Sequence, residues 1–250
     1  MEEVPVIMPD PGGKRVLITG AAQRLGAVIA RAFADRGAAV VVHCFRSKDE
    51  ADKLAASLPP CSAHFRHEVA VCDLADPDAV RRMAETVGPV DCLVNNAAMW
   101  IRGEAQQSEL DRQEAVNHLA PCELIRRFAA LRPDGREFSA VNVLDAAVLS
   151  GSGDATPYAA SKAALLRDTL ALARELAPHV RVNAVAPGPV FAPRELGDAG
   201  MKRIPGTLPL KRPVDPLDVA RAVVFLASAP SVTGAILPVD CGQSILPLQQ

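Results

Sequence analysis

Residues 15–26 read RVLITGAAQRLG. The apolar run Arg15–Thr19 is typical of a strand buried on both faces, and a helical pattern runs from Leu25 to Arg36. The turn between them, Gly20–Gly26, points free backbone N–H groups and a helix N-terminus at one spot, which suits a bound phosphate. Close packing of a helix on a strand would also require two glycines. The position at the first strand–helix junction favours dinucleotide binding.

The alternation of strand and helix continues to the end of the chain. Further strands are predicted over Ala38–Cys44, Ala63–Val71, Asp91–Asn95, Glu137–Leu144, Val180–Ala186 and Ala235–Val239. Further helices are predicted over Lys48–Leu58, Pro77–Val87, Leu110–Leu131, Pro157–Ala177 and Pro216–Ala227. This order predicts an α/β Rossmann fold, a doubly wound seven-stranded parallel sheet with helices on both faces.

No linker divides the chain, so we expect one domain over residues 14–250 behind a flexible arm over residues 1–13. The segment Pro187–Pro216 interrupts the alternation with seven prolines and four glycines. Because it follows the carboxyl end of a strand, we expect it to lie over the ligand crevice as a substrate loop. A surface insertion without function is the alternative. Contacts to substrate from this loop are open among Arg194, Glu195 and Met201.

Composition excludes several classes of protein. The 27 basic and 29 acidic residues give a net charge of −2, so no basic stripe for nucleic acid or a membrane surface is indicated. No run of 18 apolar residues and no secretory signal is present. The six cysteines form no CxxC pair, so no metal site and no redox motif is predicted. We therefore expect a cytoplasmic protein.

The end of the second strand bears on which nucleotide is bound. An Asp or Glu there would hold the ribose of NAD, yet no acid occurs between Val42 and Ser47. Arg46 offers a planar cation for a phosphate, Arg24 in the first turn can reach the same phosphate, and Ser47 and His43 can add hydrogen bonds. This pattern favours NADP, although both arginines could instead be solvated loop charges.

Two more strand ends fit a cofactor site. Asp73 and Leu74 follow the third strand, where the carboxylate can meet an adenine amino group. Asn95, Asn96 and Ala97 follow the fourth, where the amides can fix the loop beside a nicotinamide ribose. Either segment could instead serve only as a strand-end cap.

Tyr158 and Lys162 lie four residues apart at the start of a predicted helix, so both project from one face. An ammonium beside a phenol lowers its pKa toward working pH and makes it a usable proton donor and acceptor. Tyr158 is the only tyrosine of the chain. Asn117, in the preceding helix, could hold a water next to the lysine. This spacing also arises by chance.

Several motifs in order along the chain resemble the short-chain dehydrogenase/reductase family. They are Thr19–Gly26, Asn95–Ala97, Asn117, Tyr158–Lys162 and Arg181–Gly188. The resemblance implies hydride transfer from a nicotinamide, with Tyr158 as acid/base, Lys162 holding the ribose, and Asn117 in a proton relay. The cofactor residues that it and the patterns above suggest are Gly20, Arg24, Leu25, Gly26, His43, Arg46, Ser47, Asp73, Leu74, Asn96, Ala97, Lys162, Pro187 and Gly188.

Two positions depart from the usual pattern of that family. Arg24 replaces the middle glycine of the first turn, and Asp145 replaces the serine expected thirteen residues before Tyr158. Asp145 could instead serve only as a strand-end cap in an enzyme that has lost activity. Both departures also occur in the pteridine reductases and the similar dihydromonapterin reductases, where an acceptor carboxylate matches the amino group and ring nitrogens of a pterin. Trp100, the only tryptophan, stands where those enzymes stack the pterin, unless it is an ordinary surface aromatic.

These features predict an NADPH-dependent reductase of a dihydropterin or dihydrofolate, with Trp100, Arg24, Asp145 and Tyr158 at the substrate. One alternative is a carbonyl reductase of the same family that acts on a 3-oxoacyl thioester or a sugar. Another is a non-catalytic NADP(H) sensor, although a pure sensor has no need of Tyr158 and Lys162. The resemblance also implies a homotetramer built on the helices Leu110–Leu131 and Pro157–Ala177.

Overall fold

The computed structural model describes residues 11–61, 65–101, 103–150 (Ser150 by its backbone alone), 156–191 and 206–246. A seven-stranded, all-parallel sheet forms its centre, with the order β3-β2-β1-β4-β5-β6-β7. The strands are β1 (Arg15–Ile18), β2 (Ala39–Cys44), β3 (Glu68–Val71), β4 (Cys92–Asn95), β5 (Phe138–Val143), β6 (Val180–Pro187) and β7 (Ile236–Val239). The predicted fold class is confirmed. The strand order reverses between β1 and β4, and ligands of such sheets bind at the carboxyl ends there.

Helices cover both faces of the sheet. They are α1 (Arg24–Ala34), α2 (Lys48–Ser57), α3 (Pro77–Val87), α4 (Gln107–Glu114), α5 (Ala120–Leu131), α6 (Ala147–Ser150), α7 (Pro157–Glu175) and α8 (Pro216–Ser228). Helices α1, α2 and α8 pack on one face, and α3, α5 and α7 on the other. No helix among the described residues is long and apolar enough to cross a membrane.

Alternation along the central strands divides the core into two layers. Val16 and Ile18 of β1 belong to the layer under α1, whereas Leu17 between them belongs to the layer under α3 and α5. Successive side chains of a strand point to opposite faces. Both layers are buried, so the strand is apolar on both faces, which explains the uninterrupted hydrophobic runs in the sequence.

The third strand is shorter than predicted. It begins at Glu68 rather than Ala63, and residues 62–64 lie outside the described part of the chain. His67 gives a physical reason, because its Nδ1 accepts a hydrogen bond from the backbone N–H of Val40 at 3.1 Å. Its Nε2 lies 2.8 Å from the Pro59 carbonyl oxygen. A side chain therefore occupies the position at which strand pairing would otherwise continue.

The predicted helix over Leu110–Leu131 begins earlier and is interrupted. It starts at Gln107, and a π-helical turn over Ala115–Leu119 separates α4 from α5. Such turns occur often at functional sites, and this one contains Asn117. The residue pattern gave no sign of it.

The last three residues of the predicted N-terminal arm, 11–13, contact the domain. The Gly13 amide donates to the Gly37 carbonyl at 3.3 Å, and Pro11 is buried. Residues 11–13 therefore contact the domain, and residues 1–10 lie outside the described part, so the predicted boundary stays a prediction.

Arg181 and Asn183 of β6 tie the last helix and strand to the sheet. The Arg181 guanidinium donates to the carbonyl oxygens of Leu226 and Ala227 at the end of α8. The Asn183 side chain donates to Val232 and accepts from Ala235. These contacts anchor the first half of β6, and the strand then runs to Pro187 at the edge that carries the site.

Candidate active site

The first turn brings two backbones into direct contact. Gly20 has a φ of +62°, and a Cβ built on it would lie 2.9 Å from the Cα of Ala97. A Cβ on Gly26 would lie 2.2 Å from the Gly20 carbonyl oxygen. No side chain fits at either position, so both glycines are required by the turn itself. The resulting shallow backbone surface beside the N-terminus of α1 fits a pyrophosphate.

Asn96 joins this turn to the end of β4. Its side-chain amide donates to the carbonyl oxygens of Thr19 at 2.9 Å and Gly20 at 3.1 Å. The backbone N–H groups of Asn96 and Ala97 both donate to the Thr19 hydroxyl. The neighbouring Asn95 is buried and donates to Asn142 of β5 at 2.9 Å. These amides hold the loop together, as the sequence predicted.

Arg24 is the first residue of α1 rather than part of the turn. Its φ of +52° is a left-handed conformation that glycine adopts freely and other residues rarely. The backbone therefore keeps the shape of the glycine it replaces. Its exposed guanidinium lies 5.3 Å from the ring centroid of Phe191, at the start of the predicted substrate loop. Leu25 beside it is half-buried against the core.

His43 does not face the predicted phosphate pocket, and its expected hydrogen bond to phosphate is wrong. Its Nδ1 accepts from the Gly20 amide at 3.1 Å, and its Nε2 lies 3.1 Å from the carbonyl oxygen of Cys72. Burial lowers its pKa to about 4, so the ring is neutral at pH 7. His43 therefore shapes the first turn and positions Gly20.

Arg46 lies exposed at the end of β2, where the sequence placed the nucleotide phosphate. Its guanidinium carbon is 4.9 Å from the Phe45 ring centroid. Ser47 precedes α2, and its hydroxyl lies 3.5 Å from the side-chain nitrogen of Gln23 in the first turn. Arg46 and Ser47 therefore lie beside the turn, as predicted.

Asp73 is held by a cation that sequence reasoning missed. One Arg112 nitrogen of α4 lies 2.8 Å from both Asp73 carboxylate oxygens, and the Ala75 amide donates to one of them. Although partial burial opposes them, these hydrogen bonds and the charges of Arg112 and Arg46 keep the pKa of Asp73 below its ordinary value. The carboxylate expected to meet adenine thus already has an ionic partner. No spacing rule links α4 to the end of β3.

Arg112 connects Asp73 to the exposed ring of Phe45. Leu74 is buried directly after Asp73, and the Arg112 guanidinium lies 5.3 Å from the Phe45 ring centroid. Phe45 is 42% exposed, which is high for a large apolar ring in a folded chain. Two guanidinium groups, an exposed aromatic ring and a carboxylate therefore meet beside the first turn.

Tyr158 and Asp145 form a direct pair at the carboxyl end of β5. Thr156 caps α7 by accepting from the Ala159 amide, which sets Tyr158 in the first helical turn. The Tyr158 hydroxyl donates to Asp145 Oδ2 at 3.2 Å. The other oxygen of Asp145 accepts from the Ala147 amide at 2.9 Å and caps α6. The cap that the sequence left as an alternative exists, and the same carboxylate faces the tyrosine.

Lys162 lies one turn beyond Tyr158 and is 2% exposed. Its ammonium donates to the Val143 carbonyl oxygen at 2.8 Å. Burial lowers its pKa to about 8, against the opposing attraction of Asp145. Spacing correctly placed both residues on one face of a helix.

The predicted effect of Lys162 on Tyr158 is wrong for the protein without ligands. Burial, followed by the charge and the hydrogen bond of Asp145, raises the pKa of Tyr158 far above its ordinary value. Taking a phenol out of water penalises its charged form, and a neighbouring carboxylate adds to that penalty. Tyr158 is therefore a protonated phenol, which can give a proton but is a poor base.

Trp100 lies beside the Tyr158 ring. Its ring centroid is 5.6 Å from that of Tyr158, and the planes are tilted by 36°. The indole is 54% exposed, so a large part of its surface can contact a ligand. The structure thus brings the only tryptophan and the only tyrosine of the chain into one site.

Asn117 positions the segment before Trp100 rather than contacting Lys162. Its carbonyl oxygen accepts from the Met99 amide at 2.7 Å, and its amide group donates to the Met99 carbonyl oxygen. A further bond runs to the Ser161 hydroxyl in α7 at 3.1 Å. Asn117 therefore links the π-turn, the Trp100 segment and α7, and these contacts differ from the predicted water-holding role.

Pro187 and Gly188 close the site on the side of β7. The Pro187 carbonyl oxygen accepts from the Ala146 amide at 2.9 Å, next to Asp145. A Cβ on Gly188 would lie 2.9 Å from the Cα of Asp240, so only glycine fits. The predicted loop begins here. Arg194, Glu195 and Met201 lie outside the described residues.

Comparison with known proteins places the chain among dehydrogenases and reductases. A family model described as enoyl-(acyl carrier protein) reductase matches residues 20–244. Meso-2,3-butanediol dehydrogenase of Serratia marcescens is 34% identical, over 92% of this chain and 94% of that protein. A 3-oxoacyl-[acyl-carrier-protein] reductase of Thermotoga maritima is 33% identical, over 92% of this chain and 97% of that one.

Among solved structures, FolM alternative dihydrofolate reductase 1 from Brucella canis, complexed with NADP, superposes with a TM-score of 0.83. It is 30% identical, over 94% of this chain and 95% of that chain. Further similar structures also hold NADP or NADPH.

Proposed function

Since the chain belongs to the short-chain dehydrogenase/reductase family, we propose that it is an NADPH-dependent reductase of a dihydropterin or dihydrofolate ring. The observation that carries this proposal is the Asp145 carboxylate, 3.2 Å from the Tyr158 hydroxyl. A ketone substrate needs a hydrogen-bond donor at its oxygen, whereas a pterin presents N–H groups that need an acceptor. A carboxylate at this position therefore favours the pterin.

The residues present fit NADP(H). The Gly20 and Gly26 turn leaves room for a pyrophosphate, and Arg46 supplies an exposed cation at the end of β2 where no acid occurs. Arg24 is the second cation beside the turn, and Lys162 is the residue we assign to the nicotinamide ribose. The bound cofactor supplies the hydride.

The protein's own part in the reaction is to hold the ring and give a proton. Asp145 accepts hydrogen bonds from the pterin and orients the phenol of Tyr158. Tyr158, kept protonated by its surroundings, donates its proton to the ring nitrogen next to the carbon that is reduced. Its raised pKa keeps the proton on the phenol until the substrate is in place.

Trp100 is assigned to the ring of the substrate. It is more than half exposed beside Tyr158, so a flat heteroaromatic ring can stack on it without displacing core residues. Such a ring pair contributes about 0.5–1.5 kcal/mol beyond the area it buries. Arg24 and Phe191 lie near the start of the loop over the same crevice.

A carbonyl reductase is the second candidate, and the relative from Thermotoga maritima favours it. The test is the rate of NADPH and NADH oxidation with dihydrobiopterin, dihydromonapterin and an acetoacetyl thioester, with Tyr158→Phe as the inactive control. Fast loss of NADPH with a pterin alone is the expected result. Turnover with the thioester alone would refute the pterin substrate and favour a carbonyl reductase of the same family. No NADPH oxidation with any of the three substrates would favour a sensor. The homotetramer and the cytoplasmic location stay predictions.

A further inference from the structure

Three potential metal ligands meet on the helices behind the active site. His118 and Cys122 lie one turn apart around the start of α5, and Asp168 faces them from α7. The ligand atoms of these three side chains all lie within 4.8 Å of one another. We call them the His118 cluster. None of the three contacts Tyr158, Lys162 or the first turn in the described hydrogen bonds.

The spacing of the His118 cluster is close to that of a tetrahedral zinc centre. Bond lengths near 2.0–2.3 Å place a sulfur and an oxygen ligand about 3.6 Å apart, and a nitrogen and an oxygen about 3.4 Å apart. The Cys122 sulfur lies 3.8 Å from Asp168 Oδ2. His118 Nε2 lies 2.7 Å from the same oxygen. A zinc ion bound between these two atoms would replace the proton there and move them about 0.7 Å further apart.

Glu114 supplies the outer support that zinc histidines need. Its carboxylate lies 2.5 Å from His118 Nδ1 and accepts a hydrogen bond from it, while Nε2 faces the Asp168 carboxylate, the second ligand. The His118 side chain is only 11% exposed, while that of Asp168 is 36% exposed. The cluster is therefore buried at the imidazole and open at the carboxylate, where a water can be the fourth ligand.

We propose that His118, Cys122 and Asp168 bind one Zn²⁺ ion per chain, with Glu114 hydrogen-bonded to the histidine ligand. A histidine, a thiolate and a carboxylate form a mixed donor set that suits this ion. The ion joins α5 to α7. Asn117 precedes one ligand directly, and Lys162 lies on the same helix as Asp168, so zinc fixes the two helices that carry the site.

The proposed ligands carry only a weak sequence signal, because the chain has no CxxC pair. A His and a Cys four residues apart on one helix face are a weaker signal, and the third ligand comes from a helix about fifty residues away. Only the packing of α7 against the π-turn brings the carboxylate to them.

The experiment uses full-length, tag-free protein treated with a chelator and titrated with Co²⁺ as a spectroscopic probe, followed by Zn²⁺. We expect one equivalent of Co²⁺ per chain, a thiolate-to-cobalt charge-transfer band in the near ultraviolet, and loss of that band when Zn²⁺ is added. Cys122→Ser and His118→Gln are expected to abolish the band. Glu114→Gln is expected to weaken zinc binding about 10- to 100-fold.

Cys61→Ser is the matched control, because Cys61 is a partly exposed thiol whose described hydrogen bond is to the Phe65 carbonyl. It is expected to leave the band intact. Cys122→Ala, which adds no polar group, is the second variant if Cys122→Ser does not fold. The proposal is overturned if wild-type protein shows no thiolate band, or if the band survives loss of the Cys122 thiol. Loss of the band in Cys61→Ser alone would assign it to another site and would also overturn the proposal.

Discussion

Asp145→Asn removes the negative charge of the group that accepts a hydrogen bond from the Tyr158 hydroxyl, and it nearly conserves side-chain volume. The hydroxyl donates to that carboxylate at 3.2 Å. A hydrogen bond to a charged group contributes about 1.5–3 kcal/mol, against about 0.5–1.5 kcal/mol for a neutral one. The difference is about 1–1.5 kcal/mol, and at 1.36 kcal/mol per pKa unit the exchange lowers the pKa of Tyr158 by about one unit. Burial is the larger cause of the raised pKa and is retained, so the pKa stays above its ordinary value.

The measurement is an ultraviolet titration of tyrosinate. The chain has one tyrosine, so the whole signal belongs to Tyr158. Wild-type protein is expected to show no tyrosinate while it stays folded, and Asp145→Asn is expected to ionise at lower pH. Circular dichroism at each pH separates ionisation in the fold from ionisation after unfolding. A wild-type tyrosine that titrates at its ordinary pKa, or identical titrations of both proteins, would refute the role of the carboxylate.

Kinetics of the Asp145 variants extend the same argument. Loss of a group that orients the proton donor costs about 100-fold or more in kcat/KM, and we expect this loss for dihydropterin reduction by Asp145→Ser and Asp145→Asn. Asp145→Ser restores a hydroxyl suited to a carbonyl oxygen, so its thioester reduction is expected to rise. Unchanged pterin turnover in Asp145→Ser would contradict the account.

Other perturbations test the remaining parts of the site. Arg46→Ala is expected to weaken NADPH binding about 10- to 100-fold and to leave NADH binding nearly unchanged, because only the extra phosphate loses a charged hydrogen bond. Trp100 fluorescence measures both affinities. Equal losses for the two cofactors would refute a contact between Arg46 and the phosphate. Trp100→Ala is expected to raise KM for the pterin about 2- to 12-fold, with a smaller effect on KM for NADPH, whereas Trp100→Phe retains most of the affinity for the pterin. Steady-state kinetics measures both values. Equal KM values for the two variants would contradict stacking of the pterin on Trp100. Burial lowers the pKa of Lys162 from 10.5 to about 8, so the protonated lysine costs the folded state stability below pH 8, and that cost disappears as the pH rises to 10.5. Lys162→Met is therefore expected to be inactive yet more stable by about 3 kcal/mol at pH 7, with the gain shrinking toward pH 10.5 in denaturant titrations. A less stable variant at pH 7 would contradict this. Burial likewise lowers the pKa of His43 from 6.5 to about 4, so the free energy of unfolding is expected to fall by about 3 kcal/mol as the pH drops from 6.5 to 4. Denaturant titrations should show no such dependence in His43→Asn.

The strand–helix order could be predicted because its signals are local. Buried parallel strands must be continuously apolar, and Gly20 and Gly26 lie where two backbones meet too closely for a Cβ. The spacing of Tyr158 and Lys162 likewise follows from helix geometry alone. Each of these features depends on a few neighbouring residues.

The corrections arise where distant elements meet. His43 is a plausible phosphate ligand by position, but the fold buries it between the Gly20 amide and the Cys72 carbonyl. Arg112 reaches Asp73 only because α4 packs beside the end of β3. Burial of Tyr158 and the position of Asp145 reverse the direction of the pKa shift expected from the lysine. Sequence spacing carries no information about how much water surrounds a side chain.

Transfer of deuterium from labelled NADPH tests the central claim most directly. Each C4 epimer of deuterated NADPH is incubated with the protein and a dihydropterin, and the tetrahydropterin is analysed by mass spectrometry after exchange in ordinary water. The account predicts one retained deuterium on the reduced ring carbon from one epimer and none from the other, and no labelled product with Tyr158→Phe. Consumption of NADPH without label in the pterin, or label found only in a hydroxyacyl thioester, would contradict it.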